Sequence, residues 1–562
     1  MSRSIRSACQ ASFRKRFSPQ KYAVALFFLL LLALGFLLHK DYGISWDENT
    51  ERKTGLLSLH CAANPEKLSW PVPLRMIGGD CFYGMGFQHL LLGSENLFIG
   101  YDTWSKPDGD HDIWALRHLL TFVFMWCGLI ALYFSGRLLW RRPLFALIPV
   151  ILFLLIPRFW AESFYNCKDM TCLAAVMIAG YFLLRVIKRP RLGNVLLCGL
   201  ATAFAASTRL IGGVLFIAGV VALLNVSGLG AAKRLQLFLA FAAVSALALI
   251  LFYPIGWSSP QEFFVQAIQY MRNHPWNGKV LFFGKEYLAS QVPWYYVPGW
   301  MAVTLPVPLL LLFFVGHLRI VPNIFSQDRK RGPAFLRRSN ILFAAFLYLS
   351  LAAVMFGGRT FYNGWRQFYF LAWPLLFIAA EGVLVLLRAK QRAAIRRTAK
   401  VVLTAWILST LVWMVYVHPY QDLFFNILAG APNKRFELDY WQVSSRDALR
   451  YIVGRAAGSP GAVTVARNET NRHSMYALSD AERSCIAIVP EEDFCRYFIY
   501  HSYQQWHPEL GTRPFLVDFP TKVQVAHEVN IRTSLFLHPV FVYRIYEFLP
   551  AAEEQRKGGH HE

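Results

Sequence analysis

The sequence predicts a mainly α, polytopic helical membrane protein ending in a small soluble domain of α/β or α+β type. Three observations lead there. Hydrophobic residues make up 55% of the 562 and charged residues only 16%, where a soluble domain carries roughly a quarter charged. Uncharged runs of about 17–25 residues recur, the length a helix needs to cross hydrocarbon. The net charge of +23 sits mostly in short segments between those runs, where positive charge sets topology. That placement, with no recognisable nucleic-acid-binding motif, argues against nucleic acid as a partner.

Taken in order, the chain opens with a basic leader, residues 1–21, carrying Arg3, Arg6, Arg14, Lys15, Arg16 and Lys21 and no acid. The run 22–38 follows and passes into Leu38-His39-Lys40-Asp41, not into the small residues of a cleavage site. It reads as a retained anchor with a cytoplasmic N-terminus. Eleven spans are expected, at about 22–38, 113–136, 143–157, 169–187, 193–207, 210–226, 235–254, 296–318, 340–356, 366–387 and 401–417. With the N-terminus inside, every inner loop is basic: Arg137/Arg141/Arg142, Arg185/Lys188/Arg189/Arg191, Lys233/Arg234, Arg319 to Arg338, and 388–400. Asp328 is the one acid against them, as the positive-inside rule requires. The C-terminus then lies outside.

This topology divides the chain into the leader, a transmembrane domain over 22–417 and an extracytoplasmic domain over 418–562. Four pieces face outward: 40–112, 158–168, 255–295 and the tail. Long loops of this kind usually carry function. Within the first, 51–62 can form an amphipathic helix with Leu56, Leu57 and Leu59 dipping into the interface. In the tail, 445–453 reads as helix, and 462–466 and 540–545 read as strands. Of nine cysteines, Cys61, Cys81, Cys485 and Cys495 are outside. An oxidising compartment permits two local bridges there, Cys61–Cys81 and Cys485–Cys495 being the simplest arrangement, though spacing does not fix connectivity.

The chemistry is expected at the outer membrane boundary. Asp47 and Glu48 emerge together from the first span, and ionisable groups so close to hydrocarbon are either paired or functional. Arg117-His118 begins the second span, and Arg158, Glu162, Asn166, Lys168 and Asp169 lie in or beside the second outer piece. Arg209 is near the outer end of spans five and six, His274 is in the third piece, and Arg359 and Arg366 flank the turn before span ten. Arg and Lys there can hold a phosphate, Arg by bidentate hydrogen bonds and Lys as a point charge, and a carboxylate beside them can serve as general base. Any single Arg in this set is equally well an interfacial anchor; the case is their convergence.

Several motifs resemble one family. A span followed by Asp-Glu, then a long outer loop and a second acidic outer loop, is similar to the membrane glycosyltransferases of the GT-C fold. These include protein O-mannosyltransferases and lipid A aminoarabinose transferases. Further likenesses are Pro157-Arg158-Phe159-Trp160 running into Tyr165-Asn166-Cys167-Lys168-Asp169, Ser207-Thr208-Arg209, Tyr253-Pro254-Ile255-Gly256-Trp257, Arg366-Gln367-Phe368-Tyr369-Phe370 and Glu437-Leu438-Asp439-Tyr440-Trp441. The resemblance covers about residues 20–445. It implies an inverting transfer from a polyprenyl-phosphate sugar to a hydroxyl of a lipid, glycan or protein acceptor, on the outer face of a bacterial inner membrane. It casts Asp47, Glu48 and Asp169 as catalytic. Lys168, Arg158, Arg209, Arg366 and Arg359 then bind the donor phosphate, and Glu162, Asn166 and His274 contact acceptor or sugar. Many members have Pro or another residue where Trp46 precedes the acid pair, so the base is left open between Asp47 and Glu48. No cofactor is required; a divalent metal held by carboxylates and His274 stays open.

Two other classes compete. A transporter or flippase for an anionic lipid also gathers Arg and Lys at the membrane, but it is expected to show inverted repeats and polar breaks at the midplane, and neither is evident. A non-catalytic assembly protein would depend on the tail and not on Asp47.

Overall fold

The computed structural model describes residues 19–64, 79–100, 105–226, 228–272, 276, 278–325, 334–357, 360–388, 392–456, 463–467, 469–490, 495–502, 522–534 and 539–549. Its helices are α1 (Pro19–Leu38), α2 (Trp46–Ala63), α3 (Gly86–Ile99), α4 (His111–Trp140), α5 (Pro143–Leu154), α6 (Pro157–Tyr165), α7 (Asp169–Lys188), α8 (Leu192–Thr208), α9 (Leu210–Leu224) and α10 (Ala231–Leu251). After them come α11 (Pro260–Arg272), α12 (Tyr296–Thr304), α13 (Val307–Phe325), α14 (Ala334–Phe356), α15 (Arg366–Leu387), α16 (Ala393–Tyr416) and α17 (Ser445–Ala456). Every expected span falls on helix, but the eighth, 296–318, is broken between α12 and α13. Among the described residues eight helices are long and apolar enough to cross a membrane: α1, α4, α7, α10, α13, α14, α15 and α16. The expected third span, 143–157, is α5, and the expected outer piece after it forms α6, the two meeting at a bend of 78°. The fifth and sixth are the shorter apolar helices α8 and α9.

The bend has a local cause. Pro157 opens α6 at its first position, where its missing N–H costs nothing, and Ile156 before it is held extended. Burial then ranks the spans. The most apolar windows of α7 and α15 are 78% and 83% buried, while those of α1 and α16 are about 20% buried. The pair α7 and α15 is therefore the centre of the bundle. Trp373 of α15 packs directly on Gly180 of α7, and a Cβ at that glycine would collide with the indole. Gly316 of α13 and Gly382 of α15 likewise let two backbones meet, each facing a carbonyl of the other helix.

The first outer piece differs from the expected surface helix. On α2 the inward face is polar: Glu48, Asn49, Glu51, Arg52 and Ser58 are buried, and so is Leu56. Arg52 is satisfied inside the protein, by Glu95 of α3 at 2.8 Å and by the carbonyls of Lys106 and Pro107. Arg117 of α4 closes on the same Glu95 at 2.7 Å, so three helices share one buried carboxylate. Apart from Trp46 at the start of α2, the exposed large apolar side chains among the described residues of this piece are on α3, at Leu90, Leu97 and Phe98. That helix, not α2, has the membrane-seeking face.

The third outer piece contains α11 and a hairpin, β1 (Lys279–Phe282) and β2 (Lys285–Leu288), joined through Phe283 and Gly284 at positive φ, the conformation of a two-residue hairpin turn. The tail forms a five-stranded mixed sheet from β3 (Val463–Ala466), β4 (Ile486–Val489), β5 (Tyr497–His501), β6 (Lys522–Arg532) and β7 (Pro539–Leu549). The order is β4-β3-β5-β7-β6, with β3 parallel to β4 and β5, and β7 antiparallel to β5 and β6. All eight described cysteines are free thiols, so neither expected bridge is formed, although Cys61 and Cys81 share one small apolar cluster.

Candidate active site

Each acidic group of the site is set by the start of a helix. Asp47 is the second residue of α2. Glu48, beside it in sequence, turns away: its Oε2 accepts the Ser45 backbone N–H at 2.7 Å, and His118 Nε2 lies 3.1 Å from its Oε1. That is the reach-back contact of a helix cap, and it is buried. Asp169 is the first residue of α7. Asn166 sets this second start, its side-chain oxygen accepting the Asp169 N–H at 2.8 Å while its Nδ2 donates to Glu162 at 2.7 Å.

Arg366 joins the two acids. Its Nη1 is 3.0 Å from Asp47 Oδ2 and 3.1 Å from Asp169 Oδ2. Its Nη2 donates to the Tyr440 hydroxyl at 2.9 Å, and that hydroxyl donates to Asp47 Oδ1 at 2.9 Å. The guanidinium also lies over the rings of Tyr440 and Trp441, at 4.5 and 5.0 Å from their centroids. Both flanking turns use left-handed backbone. Asn363 and Gly364 have φ of 55° and 75° just before Arg366, and Asp439 and Gln442 have 47° and 49° around Tyr440. A non-glycine residue held there stores strain, and such strain clusters at functional sites.

Two more cations border this centre. Arg209, which ends α8, pairs with Asp169 through Nε–Oδ1. Lys168 pairs with Glu51 of α2, and its ammonium stands 3.8 Å from the ring centroid of Tyr83. Burial pushes the Asp47 carboxyl up, but Arg366, Lys168 and the Tyr440 hydrogen bond outweigh it and hold Asp47 below the usual carboxylate range. Burial works against the Lys168 charge, yet Glu51 and Asp47 hold its pKa above the ordinary lysine value. Asp47 is thus an ionised carboxylate, and at 19% side-chain exposure solutes reach it, while Asp169 is fully buried.

The expected set divides. Asp47, Asp169, Arg366, Arg209 and Lys168 form one continuous cluster. Asn166 caps α7, and Glu162 accepts from both Asn166 and the Tyr369 hydroxyl, each at 2.7 Å. Arg158 donates to the Phe424 carbonyl at 2.9 Å and stacks on Phe425, so it stands apart from Lys168 and Arg209. Yet Arg158, Glu162 and Arg366 line one cavity. His274 and Arg359 lie outside the described residues. Among the described residues no three His, Cys, Asp or Glu side chains are placed to hold a metal ion. Two members went unforeseen. Glu51 is four residues after Asp47 and so on the same helix face, a signal present in the sequence. Tyr440 lies 393 residues from Asp47, and no spacing rule links them.

Residues 109–257 match the family described as dolichyl-phosphate-mannose-protein mannosyltransferase. The stretch includes Arg158, Lys168, Asp169 and Arg209 and omits Asp47 and Arg366. No curated protein matches the chain. Among solved structures, ArnT from Cupriavidus metallidurans bound to undecaprenyl phosphate is similar at 13% identity and a TM-score of 0.44, covering 94% of this chain and 98% of that one. The Archaeoglobus fulgidus oligosaccharyltransferase is similar at 12% identity and 0.43, covering 84% and 69%. The arabinofuranosyltransferase AftD from Mycobacteria is similar at 12% and 0.40, covering 93% and 40%. At such scores the likeness is one of outline, and the chemistry of the site rests on its own residues. Over 109–257 the chain is similar to that mannosyltransferase family.

Proposed function

We propose that this protein is a membrane glycosyltransferase that moves a sugar from a polyprenyl-phosphate donor to a hydroxyl acceptor, with inversion, at the outer face of the membrane. The observation that carries the reading is the Asp47–Arg366–Asp169 bridge at the N-terminal ends of the two most buried spans, with Lys168 and Arg209 beside it. In the reaction Asp47 accepts the acceptor's O–H proton, the acceptor oxygen bonds to the anomeric carbon, and the bond from that carbon to the phosphate oxygen breaks. Polyprenyl phosphate leaves with the electron pair. Its growing negative charge is what Lys168, Arg209 and Arg366 are suited to stabilise.

The cluster is balanced before any donor arrives: Arg366, Arg209 and Lys168 face Asp47, Asp169 and Glu51. An incoming phosphate shares these cations, and as Arg366 turns to it, Asp47 loses part of the attraction that keeps its pKa low. Binding of the donor therefore makes Asp47 a stronger base. Glu48 is assigned to the cap of α2 and not to the reaction.

The test is chemical. Membranes with and without the protein are compared by mass analysis of glycolipids and glycoproteins, and the purified protein is given labelled sugars on undecaprenyl phosphate. A new glycoconjugate of inverted anomeric configuration supports the reading. Identical glycan profiles and no transfer from any donor would reject it. Movement of intact lipid-linked sugar between leaflets, without transfer, would reassign the protein as a transporter.

A further inference from the structure

Behind the Asp47–Arg366 pair lies a cavity of about 40 Å3 that the reaction above does not use. Its walls are largely aromatic, from Trp300, Trp365, Tyr369, Tyr440 and Trp441. Four of the side chains lining it carry a buried polar atom with no hydrogen-bond partner among the described residues: Trp300 Nε1, Asn363 Oδ1, Arg366 Nε and Asp422 Oδ1. More than nine in ten buried polar groups in folded proteins are partnered. Four lining residues with an orphan atom each, two of the atoms donors, mark a place suited to receive a polar group.

Three other polar residues there are already engaged. Glu162 accepts from Asn166 and Tyr369, Arg158 donates to Phe424, and Asp439 accepts from the Ser444 hydroxyl at 2.8 Å. Asp422 is different, for it is 3% exposed and its Oδ1 has no hydrogen-bond partner among the described residues. Aromatic walls with a few placed polar atoms are the usual lining of a small-ligand pocket, and they suit the apolar faces and hydroxyls of a sugar. The size narrows the choice. About 40 Å3 holds roughly one to three water-sized groups, so it admits one substituent of a ring and not the ring itself.

We infer that this cavity is a specificity pocket for one hydroxyl-bearing substituent of the transferred sugar, and that Asp422 reads it. The inference rests on the proposed glycosyl transfer and adds to it the group by which one sugar is preferred over another. A neutral substituent fits the electrostatics: burial first, and then the Asp439 carboxylate, hold the Asp422 carboxyl well above its ordinary pKa, which favours its uncharged form. Arg158 works in the other direction and is outweighed.

The experiment uses the full-length protein in detergent, with undecaprenyl phosphate carrying mannose, glucose or arabinose, the mono-deoxy forms of each, and one amino sugar. For the preferred sugar, a single deoxy form is expected to lose about 100-fold or more in kcat/KM, since a site built to bind a hydroxyl rejects the analogue lacking it. Asp422→Leu should bring the parent donor down to the level of that deoxy form and leave the deoxy form unchanged. Asp422→Asn, which keeps a donor and an acceptor, should retain part of the difference and guards against a variant that fails to fold. Equal loss on both donors, or discrimination kept in Asp422→Leu, overturns the inference while leaving the transferase standing. Preference for the amino sugar, abolished by Asp422→Asn, would assign the pocket to an ammonium group and overturn the hydroxyl assignment. No transfer from any donor by the unaltered protein would overturn the transferase and this inference together.

Discussion

At the scale of single residues, the site turns on how Asp47 is held. Its low pKa comes from Arg366, Lys168 and Tyr440 acting against burial. A carboxyl with a depressed folded pKa favours folding above its unfolded value, about 3.9, and loses that contribution as pH falls through the lower folded value. At limiting donor, where kcat/KM reads the free enzyme, transfer that needs ionised Asp47 should therefore stay level from neutral pH down to the ordinary carboxylate range and fall only below it. Tyr440→Phe removes one hydrogen bond and should shift that acid limb to higher pH, as read from a pH–rate profile; an unmoved limb would show that Tyr440 does not act on Asp47. Glu48 predicts the opposite pattern. Glu48→Ala removes the reach-back half of the α2 capping box, so it should lower the melting temperature and leave kcat nearly intact. For the phosphate, Lys168→Met should raise donor KM about tenfold or more. Glu51→Gln in the same chain removes the carboxylate that the first change strands, so restored folding with KM still high would separate binding from stability.

At the scale of elements, the turn that brings Tyr440 to Asp47 is fixed from the far side by the tail. His501 of β5 stands between two hydroxyls, with Ser444 Oγ 3.2 Å from its Nδ1 and Ser445 Oγ 3.0 Å from its Nε2, and Ser444 donates to Asp439. All are buried. The β-sheet thus presses on the reacting carboxylate through one loop. His501→Ala should lower kcat several-fold with little change in donor KM, while His501→Gln, able to bridge the same hydroxyls, should recover much of it; an equal loss in both would reduce His501 to a packing role. The elements themselves were largely readable from sequence, because apolar runs of span length and basic loops are local signals. The inward face of α2 was not. Its leucines suggested a surface helix, but the polar side was claimed by Glu95, Lys168 and His118, groups 43 to 117 residues away, and tertiary pairing overrode local pattern. In the site, Asp47, Asp169, Lys168, Arg209 and Arg366 were legible because charge at a span end is costly. Tyr440 and Asp422 were not, being an ordinary aromatic and an ordinary acid until the fold delivers them.

For the whole molecule, the account requires that the Asp47 cluster and the β-sheet be on the same side of the membrane, with the basic loops on the other. Reporter fusions after Arg234 and after Gly458 should therefore report opposite sides, and agreement between them would dismantle the site. The central claim, that the chain transfers sugar with Asp47 as base, has a direct measurement. It is the rate of labelled-sugar transfer from undecaprenyl phosphate by the purified protein and by Asp47→Asn, matched for expression and melting temperature. Asparagine keeps the size and hydrogen-bonding shape and removes the basicity. The account predicts a fall of about two to four orders of magnitude with the fold intact. Transfer at a near-normal rate by Asp47→Asn would contradict it.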